Sequence, residues 1–102
     1  VLSSAASDVY KRQAVAFARI ECHYFINGIF VDDGYILDNC DRISHIPVTI
    51  VQGRYDMVCP TVSAWQLHKK LPKSNLIIVP DAGHSMGETS IARELVVATD
   101  NL

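Results

Sequence analysis

Two short apolar runs, each followed by a loop with polar side chains, constrain the fold of this chain most strongly. The first run covers residues 48–52 and is β-branched, and the second covers residues 76–79. Continuous apolar runs of this length are typical of strands buried in a parallel sheet. The pattern of residues 60–71 predicts a helix between them, and parallel strands need a crossover connection of this kind.

A further helix is predicted over residues 88–102, where Ile91, Leu95 and Ala98 form one apolar stripe. The order strand, helix, strand, helix predicts an α/β fold, with residues 47–102 forming a βαβα unit. Residues 14–46 are predicted to be a helical segment. Its first part, residues 14–26, is apolar on more than one face, so we expect other elements to cover it.

Residues 1–13 read VLSSAASDVYKRQ and show no periodic pattern. This stretch resembles the translation of an adaptor used in sequencing libraries. We therefore expect a non-native or disordered tail and exclude it from the fold prediction, as is done for other non-natural segments. The natural chain is then expected to continue upstream of residue 14, so that the sequence is a C-terminal fragment.

Charge and hydropathy argue against two classes of partner. The net charge of -2 lacks the basic excess that nucleic-acid binding requires, so no nucleic-acid partner is predicted. The apolar runs are far shorter than the roughly 20 residues of a membrane-spanning helix, and no membrane partner is predicted. The pattern gives no indication of the oligomeric state.

The three cysteines, an odd number, favour reduced thiols and a cytoplasmic location. Cysteine and histidine spacings match no metal-binding motif, so neither a metal nor a cofactor is predicted. Cys59 precedes Pro60 at a predicted helix start, and we expect it to be a small buried side chain.

The chemistry is predicted to lie in the loops that follow the two strands. Ligands of parallel sheets bind beyond the carboxyl ends of the strands, and these loops contain Asp56 and His84. If the strands are neighbours, the carboxylate lies within reach of the imidazole. An aspartate that accepts the Nδ1 proton of a histidine fixes its tautomer and prepares Nε2 to take a proton from a nucleophile.

Residues 83–87 match the pattern G-x-S-x-G of a nucleophile elbow, but we reject Ser85 as the nucleophile. In that architecture the acid and the histidine follow the serine along the chain, whereas no histidine follows Ser85. We expect the nucleophilic serine to lie upstream of this sequence, so the isolated chain is expected to be inactive.

Several sequence blocks resemble the C-terminal third of the proline iminopeptidase family, serine exopeptidases of the α/β-hydrolase fold. The most specific are R-I-E-x-H-Y-F at residues 19–25, G-R-Y-D at residues 53–56 and D-A-G-H-S at residues 81–85. The resemblance implies that residues 14–46 are helices from the end of the cap region. It also implies a peptide substrate with a free N-terminal proline.

The resemblance assigns roles to matched positions. Asp56 matches the triad acid, and His84 matches the triad base. Glu21 matches a carboxylate, expected to be partly buried, that binds the free α-amino group of the substrate. Two departures are Cys22, where the family usually has asparagine, and Thr89-Ser90, which replace the usual Pro-Gly.

Two alternatives remain open from the residues. Another α/β hydrolase, such as an esterase or an epoxide hydrolase, would keep the acid and the base but would not need Glu21. A non-catalytic α/β binding module would use both loops only structurally.

Overall fold

The structure, a computed structural model, describes residues 4–101, with side chains described for residues 8–101. These residues form two compact units, 4–35 and 36–101. The second unit begins at residue 36, whereas the sequence predicted that the helical segment would extend from residue 14 to residue 46. Residues 36–46, which contain short helical turns, therefore belong to the second unit.

The first unit contains helix α1, Ser4–Ile26, and a single 3-10 turn at Gly28–Phe30. The helix ends at Ile26, and Gly28 follows with a positive φ of 57°. The helix begins well before residue 14, since its early alanine, lysine and arginine residues are good helix formers. In this structure residues 4–13 are part of α1. Their non-native origin stays a prediction, and residues 1–3 lie outside the described residues.

The apolar side chains of α1 are exposed, so the expectation that other elements cover this helix is wrong for this structure. Phe17 is 70% exposed and Phe25 is 66% exposed. Ring packing is local to the end of the helix, where Tyr24 meets Phe30 edge-on with centroids 5.3 Å apart. A helix that is apolar on several faces needs a partner on each of them to become buried.

Among residues 4–101, no single helix is both long and apolar enough to cross a membrane. The helical stretches 8–26 and 28–38 meet a length and composition requirement only when they are taken together as a bent pair.

The second unit follows the predicted βαβα order. After a short helix α2 and a 3-10 turn, strand β1 leads through α3 to strand β2 and then to α4. The bounds are Tyr35–Asp38 for α2, Cys40–Ile43 for the turn, Val48–Gly53 for β1, Thr61–Lys70 for α3, Ser74–Val79 for β2 and Thr89–Asp100 for α4. The α/β fold predicted from the sequence is confirmed.

The two strands are parallel and in register from Val48 opposite Ser74 to Gly53 opposite Val79. Both α3 and α4 contact both strands. The core lies beneath the strand ends, where Val79, Ala82 and Ile91 are buried and the partly buried Val51 and Ile77 pack against them. Burial of these apolar groups fixes α4 on the sheet, and with it the loop that precedes α4.

Candidate active site

Strands β1 and β2 end side by side, and hydrogen bonds continue between the loops that follow them. The amide of Arg54 donates to the carbonyl of Val79 at 2.9 Å, and the amide of Tyr55 donates to the carbonyl of Ala82 at 3.0 Å. Because these bonds continue the ladder past the strands, the residues that follow in each loop are brought together. Asp56 and His84 are those residues.

Gly53 permits this close approach. A Cβ atom at this position would lie 2.0 Å from the carbonyl oxygen of Gly83 and 2.8 Å from that of Ala82. Both contacts are with backbone atoms, which cannot rotate away as a flexible side chain could. A side chain at position 53 would therefore force the two loops apart.

The Asp56 carboxylate is held by the turn that leads into α3. Its Oδ1 accepts hydrogen bonds from the amides of Val58 at 2.9 Å and Cys59 at 2.8 Å. The buried Gln52 supports this turn, because its Nε2 donates to the carbonyls of Gly53 at 3.1 Å and Cys59 at 3.0 Å. The two amides thus hold the carboxylate directly, and Gln52 holds the backbone of the turn that carries these amides.

These contacts also set the charge of the carboxylate. The Cys59 amide is the main cause that lowers the pKa of Asp56 below its ordinary value of 3.8. Partial burial raises this pKa, whereas the His84 ring and the Val58 amide lower it. Hydrogen bonds to the charged form favour ionisation, so Asp56 is a carboxylate at neutral pH.

The His84 imidazole lies directly against this carboxylate. Nδ1 is 3.0 Å from Oδ2 and 3.1 Å from Oδ1 of Asp56. An ionised carboxylate can only accept, so Nδ1 is the donor and carries the proton. The Asp56 side chain is 8% exposed whereas that of His84 is 54% exposed, so the acid lies behind an accessible base. This arrangement can take a proton at Nε2 and stabilise the resulting imidazolium.

Glu88 also holds the His84 loop, although the sequence did not single it out. Its carboxylate accepts from the amide of Gly83 at 3.0 and 3.1 Å and from the amide of Ser85 at 3.2 Å. These amides flank His84 on either side. Glu88 is also the residue before α4, and its carbonyl accepts the Ala92 amide at 2.9 Å. One residue therefore links the His84 loop to the helix.

In the longer hydrolase that is expected to contain this sequence, we expect Glu88→Ala to lower kcat by about 10- to 100-fold, because a loop displaced by about 1 Å misaligns the base. The loss of charge-assisted bonds should also lower the free energy of unfolding by about 1–3 kcal/mol. Steady-state kinetics and urea unfolding measure the two effects. Glu94→Ala, on the same helix, is the matched control, since the ion pair that Glu94 forms within residues 8–101 is with Arg93 and does not involve the His84 loop. Equal kcat values for the two variants would refute the positioning role.

The Ser85 hydroxyl is engaged locally. Its Oγ accepts a hydrogen bond from the amide of Gly87 at 3.1 Å. Within the described part of the chain, no hydrogen bond joins Ser85 Oγ to the His84 ring. This geometry agrees with the rejection of Ser85 as the nucleophile.

Two other residues that the sequence singled out lie in surroundings different from those expected. Glu21 lies on α1 in the first unit and is exposed, rather than partly buried, so its substrate-binding role stays a prediction. Cys59 is also exposed rather than buried, and that expectation is wrong. Its amide is tied to Asp56, which keeps the residue at the surface turn before α3.

Most of the chain is similar to known proteins. The family model described as TAP-like protein matches residues 14–98. A probable proline iminopeptidase from Leptolyngbya boryana is 68% identical over 88 residues, which are 85% of this chain and 27% of that protein.

Two further relatives are proline iminopeptidases. That of Arabidopsis thaliana is 58% identical over 90 residues, 87% of this chain and 24% of that protein. That of Neisseria gonorrhoeae is 44% identical over 90 residues, 87% of this chain and 29% of that protein. The chain thus spans about a quarter of the length of the curated relatives it matches.

Proposed function

The chain belongs to the TAP-like protein family, which has the α/β-hydrolase fold, and we propose that it is the C-terminal part of a serine-type prolyl aminopeptidase. The observation that carries this proposal is the hydrogen bond between His84 Nδ1 and the Asp56 carboxylate at the ends of two parallel strands. The names of the relatives supply the peptide class of substrate. We call the longer protein proposed to contain this sequence the parent.

In the proposed reaction, Nε2 of His84 accepts the proton of a nucleophilic serine, whose oxygen attacks the carbonyl of an N-terminal proline. Asp56 holds the Nδ1 proton and stabilises the imidazolium. The imidazolium then returns its proton to the leaving amine, and a prolyl acyl-enzyme remains. Water, activated by the same imidazole, hydrolyses this ester and regenerates the serine.

The serine is proposed to come from a part of the parent outside this sequence. The relatives are several times longer than the matched segment, which leaves room for an elbow and an oxyanion hole. The exposed edge of His84 supports this arrangement, since Nε2 needs free space to meet a hydroxyl from another segment.

Glu21 is proposed to bind the α-amino group of the substrate. An aminopeptidase must recognise an ammonium group, and a carboxylate does so by a charge-assisted hydrogen bond. Glu21 is exposed, so it is accessible to a ligand. Blocked peptides, which lack this charge, leave the carboxylate unpaired and bind poorly.

The test compares Glu21→Gln with the unaltered parent on a prolyl arylamide and on an ester substrate that has no amine. We expect KM for the prolyl arylamide to rise about 10- to 100-fold, the value of one hydrogen bond to a charged group. Hydrolysis of the ester should not change. If the parent were an esterase or an epoxide hydrolase, Glu21→Gln would leave KM unchanged for both substrates.

The matched control is Asp100→Asn, which neutralises an exposed carboxylate on α4. This variant should leave KM unchanged for both substrates, because Asp100 has no proposed part in binding. If Asp100→Asn raised KM for the arylamide as much as Glu21→Gln does, general surface charge would explain the effect and the assignment of Glu21 would be wrong.

We further propose a cytoplasmic location for the parent. The proposal is supported by Cys22, Cys40 and Cys59, all of which are free thiols. Free thiols persist in reducing compartments, whereas oxidising ones favour disulfides.

A further inference from the structure

Three different metal-ligating groups lie together at the strand ends. A carboxylate oxygen of Asp56, the sulfur of Cys59 and a ring nitrogen of His84 are all within 4.8 Å of one another. Asp56 and His84 belong to the proposed reaction, but Cys59 has no part in it. The cysteine thus adds a third ligand type to the acid–base pair.

The turn before α3 delivers this thiol. The Cys59 amide donates to Asp56 Oδ1 at 2.8 Å, and its carbonyl accepts from Gln52 Nε2 at 3.0 Å. Both backbone groups of Cys59 are therefore anchored, and its exposed side chain stays beside the carboxylate. The chain needs no large backbone movement to bring the three groups onto one ion.

The spacing of the first two ligands already suits one ion. His84 Nδ1 lies 3.0 Å from Asp56 Oδ2. Two ligands with bonds of about 2.0 Å at a tetrahedral angle are roughly 3.3 Å apart. The Cys59 sulfur already lies within 4.8 Å of both other ligand atoms and its side chain is exposed, so we expect a rotation of this side chain to bring the sulfur to the longer distance of about 2.3 Å that a thiolate takes.

We propose that Asp56, Cys59 and His84 form a binding site for Zn²⁺ or a similar thiophilic divalent cation, and that the bound ion inhibits the proposed hydrolase. Nitrogen, sulfur and carboxylate oxygen are the three ligand types that Zn²⁺ takes in proteins. The thiolate and the carboxylate together balance the two charges of the ion. Binding releases the thiol proton to solvent, and the imidazole stays neutral because its proton is carried on Nε2 instead of Nδ1.

Inhibition follows because the ion takes the place of the proton that His84 shares with Asp56. The carboxylate then no longer orients a neutral imidazole, and no stabilised imidazolium can form. This half of the inference rests on the proposed function, whereas ion binding itself does not.

The binding test uses the full chain of residues 1–102, reduced and freed of metal, with Co²⁺ as the probe. A thiolate bound to Co²⁺ gives a near-ultraviolet charge-transfer band, which Zn²⁺ should remove by competition. We expect the band in the unaltered chain and in Cys22→Ser, which replaces the other exposed thiol. Cys59→Ser should lose the band.

Three results would overturn the site: no band in the unaltered chain, a band that survives in Cys59→Ser, or a band lost in Cys22→Ser. His84→Gln provides a second variant, and it should weaken Co²⁺ binding at least about tenfold, since even outer partners of a ligand contribute that much. Unchanged Co²⁺ affinity in His84→Gln would exclude the imidazole as a ligand.

The inhibition test uses the parent, where Zn²⁺ should inhibit prolyl arylamide hydrolysis at least about tenfold more weakly in Cys59→Ser. Equal inhibition of the two proteins would overturn the inhibitory role. If Co²⁺ binds as expected but the parent releases no proline, the proposed function fails and the metal site stands.

Discussion

His84→Ala in the parent is expected to lower kcat for release of N-terminal proline by about 10⁴-fold or more, while KM changes little. The variant removes the group that accepts the serine proton, and no other imidazole lies against Asp56 among residues 8–101. Steady-state hydrolysis of a prolyl arylamide, with burst titration of the serine, measures the loss.

The matched control is His45→Ala, which removes an exposed imidazole that precedes β1. This control should keep its kcat within about twofold, because exposed substitutions away from a site have small effects. Full function in His84→Ala would support the binding-module alternative, in which both loops are only structural.

Asp56→Asn extends the same prediction to the acid. The amide retains the size of the carboxylate but can hold the imidazole in the wrong tautomer, and such a change lowers kcat by about 10⁴-fold in triads of this kind. The Asp56 pKa is already lowered by its backbone contacts, so the charge removed is present throughout the neutral range.

Gly53→Ala is expected to destabilise the protein by at least about 3 kcal/mol, the upper range for a group forced into a packed region. The added methyl would meet the Gly83 carbonyl oxygen at 2.0 Å. This overlap is removed only if the loops that follow β1 and β2 move apart, and that movement also separates Asp56 from His84. Urea unfolding of the parent gives the stability change, and kcat reports the separation of the pair.

Gly87→Ala is the control for this substitution, because within the described residues its Cβ would meet the Ser85 hydroxyl at 3.4 Å and no backbone atom of the other loop. We expect a stability change within about 1 kcal/mol, since the contact is an ordinary one and alanine restricts the unfolded chain. If Gly53→Ala unfolded no more readily than Gly87→Ala, the close approach of the two loops would not be needed for the fold.

The sequence predicted the βαβα order because the signals of the second unit are local. The apolar runs became β1 and β2, and Ile91 of the predicted stripe is buried against the sheet. Ends shifted by one or two residues, as when β2 began at Ser74, because hydrogen-bond pairing with β1 extends a strand beyond its apolar centre. The local sequence pattern contains no information about that pairing.

Asp56 and His84 could be predicted as a pair because their positions follow from topology. The roles of Glu88 and Cys59 could not, since each depends on how a loop turns and where its amides point. The sequence placed Glu88 at a helix start but gave no sign that its side chain accepts the amides on both sides of His84. Likewise, residue spacing gave no metal motif, because the ligands meet only after two loops fold together.

In helix α1 the sequence pattern predicted burial that the structure does not show. Its apolar residues predicted a covered helix, yet Phe17 and Phe25 are exposed. Periodicity states which faces of a helix are apolar, but it does not provide the elements that cover them.

A crystal structure of the parent with its serine phosphonylated tests the central claim most directly, namely that Asp56 and His84 act as the acid–base half of a hydrolase. We predict Asp56 and His84 Nδ1 within hydrogen-bond distance, near 3.0 Å, and Nε2 facing a serine oxygen from outside residues 1–102. A structure in which the two side chains are apart, or in which no serine oxygen lies near Nε2, would contradict the account.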